Sequence, residues 1–154
     1  MTEAYFAYAS NMASDVIARL CPGHRYLGAA SLADHRLAFT RRSVKTGTGV
    51  ADIVPSPGET VWGALYEIED RQLAAIDRKE GLGWAYTRVR IPILLAKSRQ
   101  EYRALTYMVI HREPTEISPS RQYLDNIIAA ARARGLPIPY IKQLEAVATA
   151  STTG

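Results

Sequence analysis

Residues 50–68 read VADIVPSPGETVWGALYEI. Two apolar, β-branched runs, Val50 to Val54 and Val61 to Ile68, flank Pro55-Ser56-Pro57-Gly58, the residue types of a tight turn. Just upstream, Arg25 to Ala30 and His35 to Thr40 have the same strand character. No helical period separates these four runs, so they predict a meander of antiparallel strands and not a series of βαβ units.

Working outward, Ala4 to Ala7 reads as a short strand. Asn11 or Ser14 is placed to cap a helix running to about Leu20, which Pro22 and Gly23 end. Downstream, Asp70 to Asp77 carries Leu73 and Ile76 at helical spacing, and Gly81 and Gly83 then break the pattern, leaving Glu80 at a helix end or in the next loop. Arg88 to Leu95 and Tyr102 to Ile110 resume strand character. The period changes again at Leu124, Ile127, Ile128 and Ala131, a helix expected to start at Ser118-Pro119 and to close at Gly135 and Pro137. Ile138 to Ala148 reads as a last helix. The sum is an α+β fold, a small, mixed, largely antiparallel β-barrel flanked by helices. Residues 1–148 form one domain and 149–154 a flexible tail.

Composition narrows the function classes. The 154 residues are 47% hydrophobic, enough for one core, and 19 Lys plus Arg against 15 Asp plus Glu give a net charge of +4. Those cations are scattered, apart from Arg41 and Arg42, whereas nucleic-acid binders concentrate theirs, so no nucleic-acid partner is expected. Cys21 is the only cysteine, which rules out an internal disulfide and any CxxC site and fits a reducing cytoplasm. The N-terminal MTEAYFAYASN has no basic region before an apolar run, and no segment has the length of a membrane span, so neither export nor membrane association is expected. His24, His35 and His111 lie far apart with no ligand spacing; no metal and no cofactor are expected.

Two segments can carry chemistry. Tyr8-Ala9-Ser10-Asn11 is a small, polar turn between a strand and a helix, where backbone N–H groups can hold an oxyanion. Asn and Ser serve equally well there as ordinary caps. Glu80, within Asp77-Arg78-Lys79-Glu80-Gly81, is by itself as much a solvated helix end as a catalytic carboxylate.

Taken together and in order, these segments resemble the γ-glutamylcyclotransferase family from Tyr5 to about Leu144. Tyr5-Phe6-Ala7-Tyr8-Ala9-Ser10-Asn11-Met12 is similar to the family's YFAYGSN loop. Gly49 to Ile53, Ser56-Pro57-Gly58 and Val61-Trp62-Gly63 resemble its central strands, Asp77 to Gly81 its D-x-x-E-G segment, and Tyr86 with the strand after it continues the pattern. Pro119-Ser120-Arg121-Gln122-Tyr123, with Gly135-Leu136-Pro137 and Tyr140, resembles its PSxxY helix and GLPxxY ending. The resemblance implies release of 5-oxoproline and a free amine from a small γ-glutamyl amide. It further implies that Glu80 is the catalytic carboxylate, that Tyr5, Phe6, Ala7, Tyr8, Ala9, Ser10 and Asn11 form the substrate loop, and that Tyr123 gives a hydroxyl to the substrate.

Such a reaction needs no protein nucleophile, because the substrate's own α-amino group attacks its γ-carbonyl. What it needs is a proton shuttle, a folded conformer and oxyanion donors. Ala9 stands where the family motif has Gly; if that position required positive φ, the Cβ would cost roughly 1–2 kcal/mol. Tyr123 could instead only pack on the core, Trp62 reads as core, and Trp84 either packs or walls a pocket. Arg41 and Arg88 are candidates for a substrate carboxylate. A non-catalytic small-molecule binding domain is the competing reading, since a fold alone proves no activity. A homodimer is left open.

Overall fold

The four strand runs between Arg25 and Ile68 are two long strands in the computed structural model, which describes residues 1–150. Strand β2 (Arg25–Arg42) and strand β3 (Gly49–Glu69) pair antiparallel from Arg25↔Glu67 to Arg42↔Gly49. The chain reverses at Ser43–Thr48, where the N–H of Ser43 donates to the carbonyl of Thr48 at 2.8 Å. Pro55-Ser56-Pro57-Gly58 therefore does not turn the chain back. Ser56 to Glu59 are looped out inside β3, since Ala33 pairs with Thr60 while His35 pairs with Pro55. Asp34, at φ 59°, accepts the Gly58 N–H at 2.9 Å and holds the irregularity in place. Further register shifts at Tyr26/Gly28 and Phe39/Arg41 bend the ribbon, which is how a two-stranded ladder curls into a barrel wall.

Strand β1 (Thr2–Ala7) lies antiparallel on β3 from Thr2↔Glu69 to Ala7↔Ala64. Gly63 permits the close approach beyond that register: a Cβ there would sit 2.4 Å from the carbonyl oxygen of Ala7. Strands β4 (Tyr86–Leu95) and β5 (Glu101–Val109) form a hairpin; β4 joins β2 at Ala30↔Leu95, and β5 meets β1 in parallel at Tyr5↔Leu105. The sheet closes in the order β1-β3-β2-β4-β5, the mixed, largely antiparallel barrel expected.

Closure is fastened by Asp52, a residue with no exposed surface. Its carboxylate accepts the N–H groups of Ile53 and Val109, the Thr40 hydroxyl and Nε of Arg112, at 2.7–3.0 Å. One buried anion thus ties β2, β3 and the end of β5 together. Phe6, Ile53, Leu65 and Ile93 fill the interior.

Helices cover the outside. Helix α1 (Ser14–Leu20) follows a 3-10 turn, Ser10–Met12, and neither Asn11 nor Ser14 caps it: Ala13 holds the cap position, and the Asn11 side chain is committed elsewhere. Helix α2 (Leu73–Glu80) is introduced by a 3-10 turn, Asp70–Gln72, with a capping box between Glu69 and Gln72. Helix α3 (Arg121–Ala133) begins later than Ser118-Pro119, because the Ser118 carbonyl is taken by the Gly49 N–H at 2.9 Å and stays in extended chain. Ser120 caps it instead, its hydroxyl oxygen accepting the N–H of Tyr123 at 3.1 Å. Helix α4 (Ile138–Glu145) ends three residues short of expectation. Of the tail expected at 149–154, Ala150 donates its N–H to Pro119 O at 2.8 Å, and residues 151–154 lie outside the described residues.

Candidate active site

Glu80 is the last residue of α2, and Gly81 after it adopts φ 72°. That left-handed residue ends the helix with the N–H of Leu82 bonded back to Asp77 O at 2.9 Å, and so points the Glu80 side chain toward the mouth of β1. There Asn11 meets it. The Asn11 amide donates to Glu80 Oε1 and to the Tyr5 hydroxyl, each at 2.8 Å, while its oxygen accepts the Lys79 ammonium. Lys79 also donates to Ser10 Oγ at 2.9 Å. Burial raises the Glu80 pKa above the ordinary carboxyl value, outweighing the neighbouring Lys79 charge and the Asn11 hydrogen bond, which lower it.

An open pocket of about 340 Å³ lies against this carboxylate, lined by Tyr5, Phe6, Tyr8, Ala9, Ser10 and Asn11 from the loop and by Glu80 and Tyr123. Of the residues expected from the sequence, only Ala7 is absent from the wall; it is buried in the barrel opposite Ala64. Ala9 sits at φ −138°, so the methyl group in place of hydrogen meets no left-handed penalty. Among the described residues the N–H groups of Ala9, Ser10 and Asn11 have no protein acceptor, and they belong to the pocket-lining loop.

The loop's carbonyls, in contrast, are held from behind. Tyr66 donates its hydroxyl to Met12 O at 2.9 Å, and Arg134 donates Nε to the same oxygen at 2.9 Å and Nη2 to the Tyr66 hydroxyl. The Arg134 guanidinium also lies over the rings of Tyr26 and Tyr66, at 4.2 and 5.2 Å from their centroids. The loop backbone is thus fixed through the Met12 carbonyl while three of its N–H groups are left without a protein acceptor among the described residues.

The tyrosines divide by what their hydroxyls do. Tyr8 donates to Tyr107 O and Tyr86 to Ala51 O, both at 2.6 Å. Tyr123 accepts the Ala51 N–H at 3.0 Å, which leaves its own proton free for a ligand. Burial pushes its pKa up to about 12, so it remains a neutral donor. Tyr86, Thr106, Tyr107 and Ala51 complete the wall and were not singled out as site residues from the sequence; Tyr86 and Ala51 had a signal, their places in the family pattern. Arg88 is ion-paired with Asp77 at 2.6 Å and Arg41 lies over the Trp84 ring. Trp62 is partly buried against the core, and Trp84 is 62% exposed.

A closed mixed barrel bearing one raised-pKa carboxylate beside free backbone donors defines an acid/base site for a small polar ligand. The comparisons with known proteins agree with that class. Residues 60–144 match the AIG2-like family. The chain is 32% identical over 150 residues to γ-glutamylcyclotransferase of Bos taurus, covering 93% of this chain and 77% of that protein. It is 30% identical over 155 residues to γ-glutamylcyclotransferase of Homo sapiens, covering 97% and 81%. A solved γ-glutamyl cyclotransferase superposes with a TM-score of 0.91 at 28% identity, over all of this chain and 92% of that one. The chain belongs to the AIG2-like family of γ-glutamylcyclotransferases.

Proposed function

We propose that the protein is a γ-glutamyl cyclotransferase, releasing 5-oxoproline and a free amine from a small γ-glutamyl amide. The observation that carries this reading is the Asn11-held, partly buried Glu80 lining one pocket with Ala9, Ser10 and Asn11, whose N–H groups have no acceptor among the described residues.

In this mechanism Glu80 takes a proton from the substrate's α-ammonium. The freed amine attacks the γ-carbonyl carbon, and the electron pair of the carbonyl moves onto its oxygen. That oxyanion is stabilised by the loop N–H groups, the removal of one such donor typically costing about 3 kcal/mol of barrier. Collapse of the tetrahedral carbon expels the amine, which receives the proton from Glu80, and the ring nitrogen gives up its second proton to the carboxylate, which passes it to the departing amine as its ammonium. Lactam formation and amide cleavage balance with no water consumed. A carboxyl whose pKa is raised by burial is a better base than an ordinary carboxylate, which suits it to take the ammonium proton. Asn11 fixes the carboxylate's orientation, and Tyr123 offers its free hydroxyl proton to the substrate.

Incubation with a panel of γ-glutamyl amides, read by mass spectrometry for 5-oxoproline, tests the reading directly. Glu80→Gln keeps the acceptor oxygen for Asn11 but removes the proton acceptor, so kcat should fall by about 10²- to 10⁴-fold with no fall in melting temperature. Near-parental turnover by the variant would remove Glu80 from the mechanism. The unpaired Cys21, buried within the core, supports a cytoplasmic setting. No helix among the described residues is long and apolar enough to cross a membrane.

A further inference from the structure

Arg41 differs from every other cation of the chain. Each of the remaining lysines and arginines either bonds to an oxygen atom or lies exposed to solvent. Arg41 is partly buried, and among the described residues it has neither an ion pair nor a hydrogen bond. A partly buried cation with no protein acceptor is free to pair with an anionic ligand.

Its position relates this unpaired cation to the pocket. Arg41 stands on β2 at the Phe39/Arg41 register shift, its guanidinium carbon 5.1 Å from the centroid of the Trp84 ring. The Trp84 ring lies hard against Gly81, where a Cβ would come within 2.7 Å of it, and Gly81 directly follows Glu80. Two residues beyond Trp84, Tyr86 lines the pocket, and the charge of Arg41 is felt at its hydroxyl, opposing the upward effect of burial on that group. Stacking on an aromatic face fixes the guanidinium plane yet leaves its N–H edges free, the geometry that grips a carboxylate with two parallel bonds. The other cations near the pocket are committed: Lys79 is held by Ser10 and Asn11, and Arg88 by Asp77.

We propose that Arg41, held on Trp84, is the residue that binds a carboxylate of the substrate. This assignment rests on the cyclotransferase reading, in which the γ-glutamyl group carries one carboxylate and a departing amino acid would carry another.

Two substrates separate the two carboxylates: γ-glutamylalanine, and γ-glutamylethylamide, whose leaving amine has none. Arg41→Gln should raise KM for γ-glutamylalanine by about tenfold or more with kcat less affected, and Arg41→Lys should restore part of the loss. An equal loss on both substrates assigns Arg41 to the γ-glutamyl α-carboxylate; a loss confined to γ-glutamylalanine assigns it to the leaving group. Calorimetric affinity for γ-glutamylalanine, measured for Glu80→Gln and for Glu80→Gln combined with Arg41→Gln, reads the same loss without turnover. Absence of turnover by the parent therefore counts against the cyclotransferase reading alone. KM for both substrates and affinity all within about twofold of the parental values, or no detectable binding to Glu80→Gln, overturns the assignment. Melting temperatures accompany each variant, and Arg41→Lys, which keeps the charge, decides the matter should Arg41→Gln prove unstable.

Discussion

Glu80 is placed where it costs the fold something. Burial raises its pKa above the ordinary value of 4.5, so the folded protein binds this proton more tightly than the unfolded chain does. Where the native state holds more protons, stability falls as pH rises; the loss begins above the ordinary pKa and is complete above the raised one. Glu80→Gln does not titrate, so its melting temperature should exceed the parent's by a margin that grows from acid to neutral pH. Thermal melts across that range check the sign; a margin that shrinks instead would mean that the charge of Lys79 and the Asn11 bond dominate. Ala9 is a residue of the same pocket, held at negative φ. Ala9→Gly should therefore leave stability nearly unchanged, within the few tenths of a kcal/mol to about 1 kcal/mol of added chain entropy. Its effect should appear in the profile of kcat/KM across γ-glutamyl amides, because the methyl group borders the ligand. An identical profile would show that Ala9 does not touch the substrate.

Among the elements, β3 does the most to organise the site. It pairs with β1 and β2 along its length, contributes Ala51, whose N–H and carbonyl fix Tyr123 and Tyr86, and places Asp52 where the barrel closes. Asp52→Ala would orphan two backbone N–H groups and a hydroxyl and release Arg112, a loss of about 3 kcal/mol or more. Urea denaturation measures it. Because Ala51 and Asp52 are adjacent, turnover should fall along with stability. The bulge at Pro55–Gly58 shows why an element's path is harder to read than its existence. Proline cannot donate to a ladder, so the motif has the composition of a chain reversal; only the partner carboxylate of Asp34, 24 residues away, turns it into a looped-out segment of a continuous strand. Helix α3 is the other organising element, since Tyr123 near its start faces the pocket while Arg134, just past its end, pins the loop carbonyls.

For the molecule as a whole, the barrel brings β1 and α2 together at one end, and the reaction proposed there needs only protons moved within the substrate and Glu80. Turnover should accordingly survive dialysis against a chelator. A large loss of rate, restored by an added divalent metal, would overturn that expectation.

The α+β class, the strand-rich centre and the two C-terminal helices were readable in the residues, because periodicity and turn chemistry are local and survive in a one-dimensional string; Glu80 and the Tyr5–Asn11 loop were named together only through the resemblance of their ordered motifs to a family. The Asn11–Glu80 bond spans 69 positions, the Tyr8–Tyr107 bond spans 99, and the Arg134–Met12 bond spans 122. No local pattern encodes such partners. Tyr107 and Thr106 reach the pocket only because β5 closes the barrel beside β1, and Asp52 is a buried anion only because four donors converge on it. Tertiary structure alone decided them, since burial, which raises the pKa of Glu80, is a property of the packed chain and not of its order.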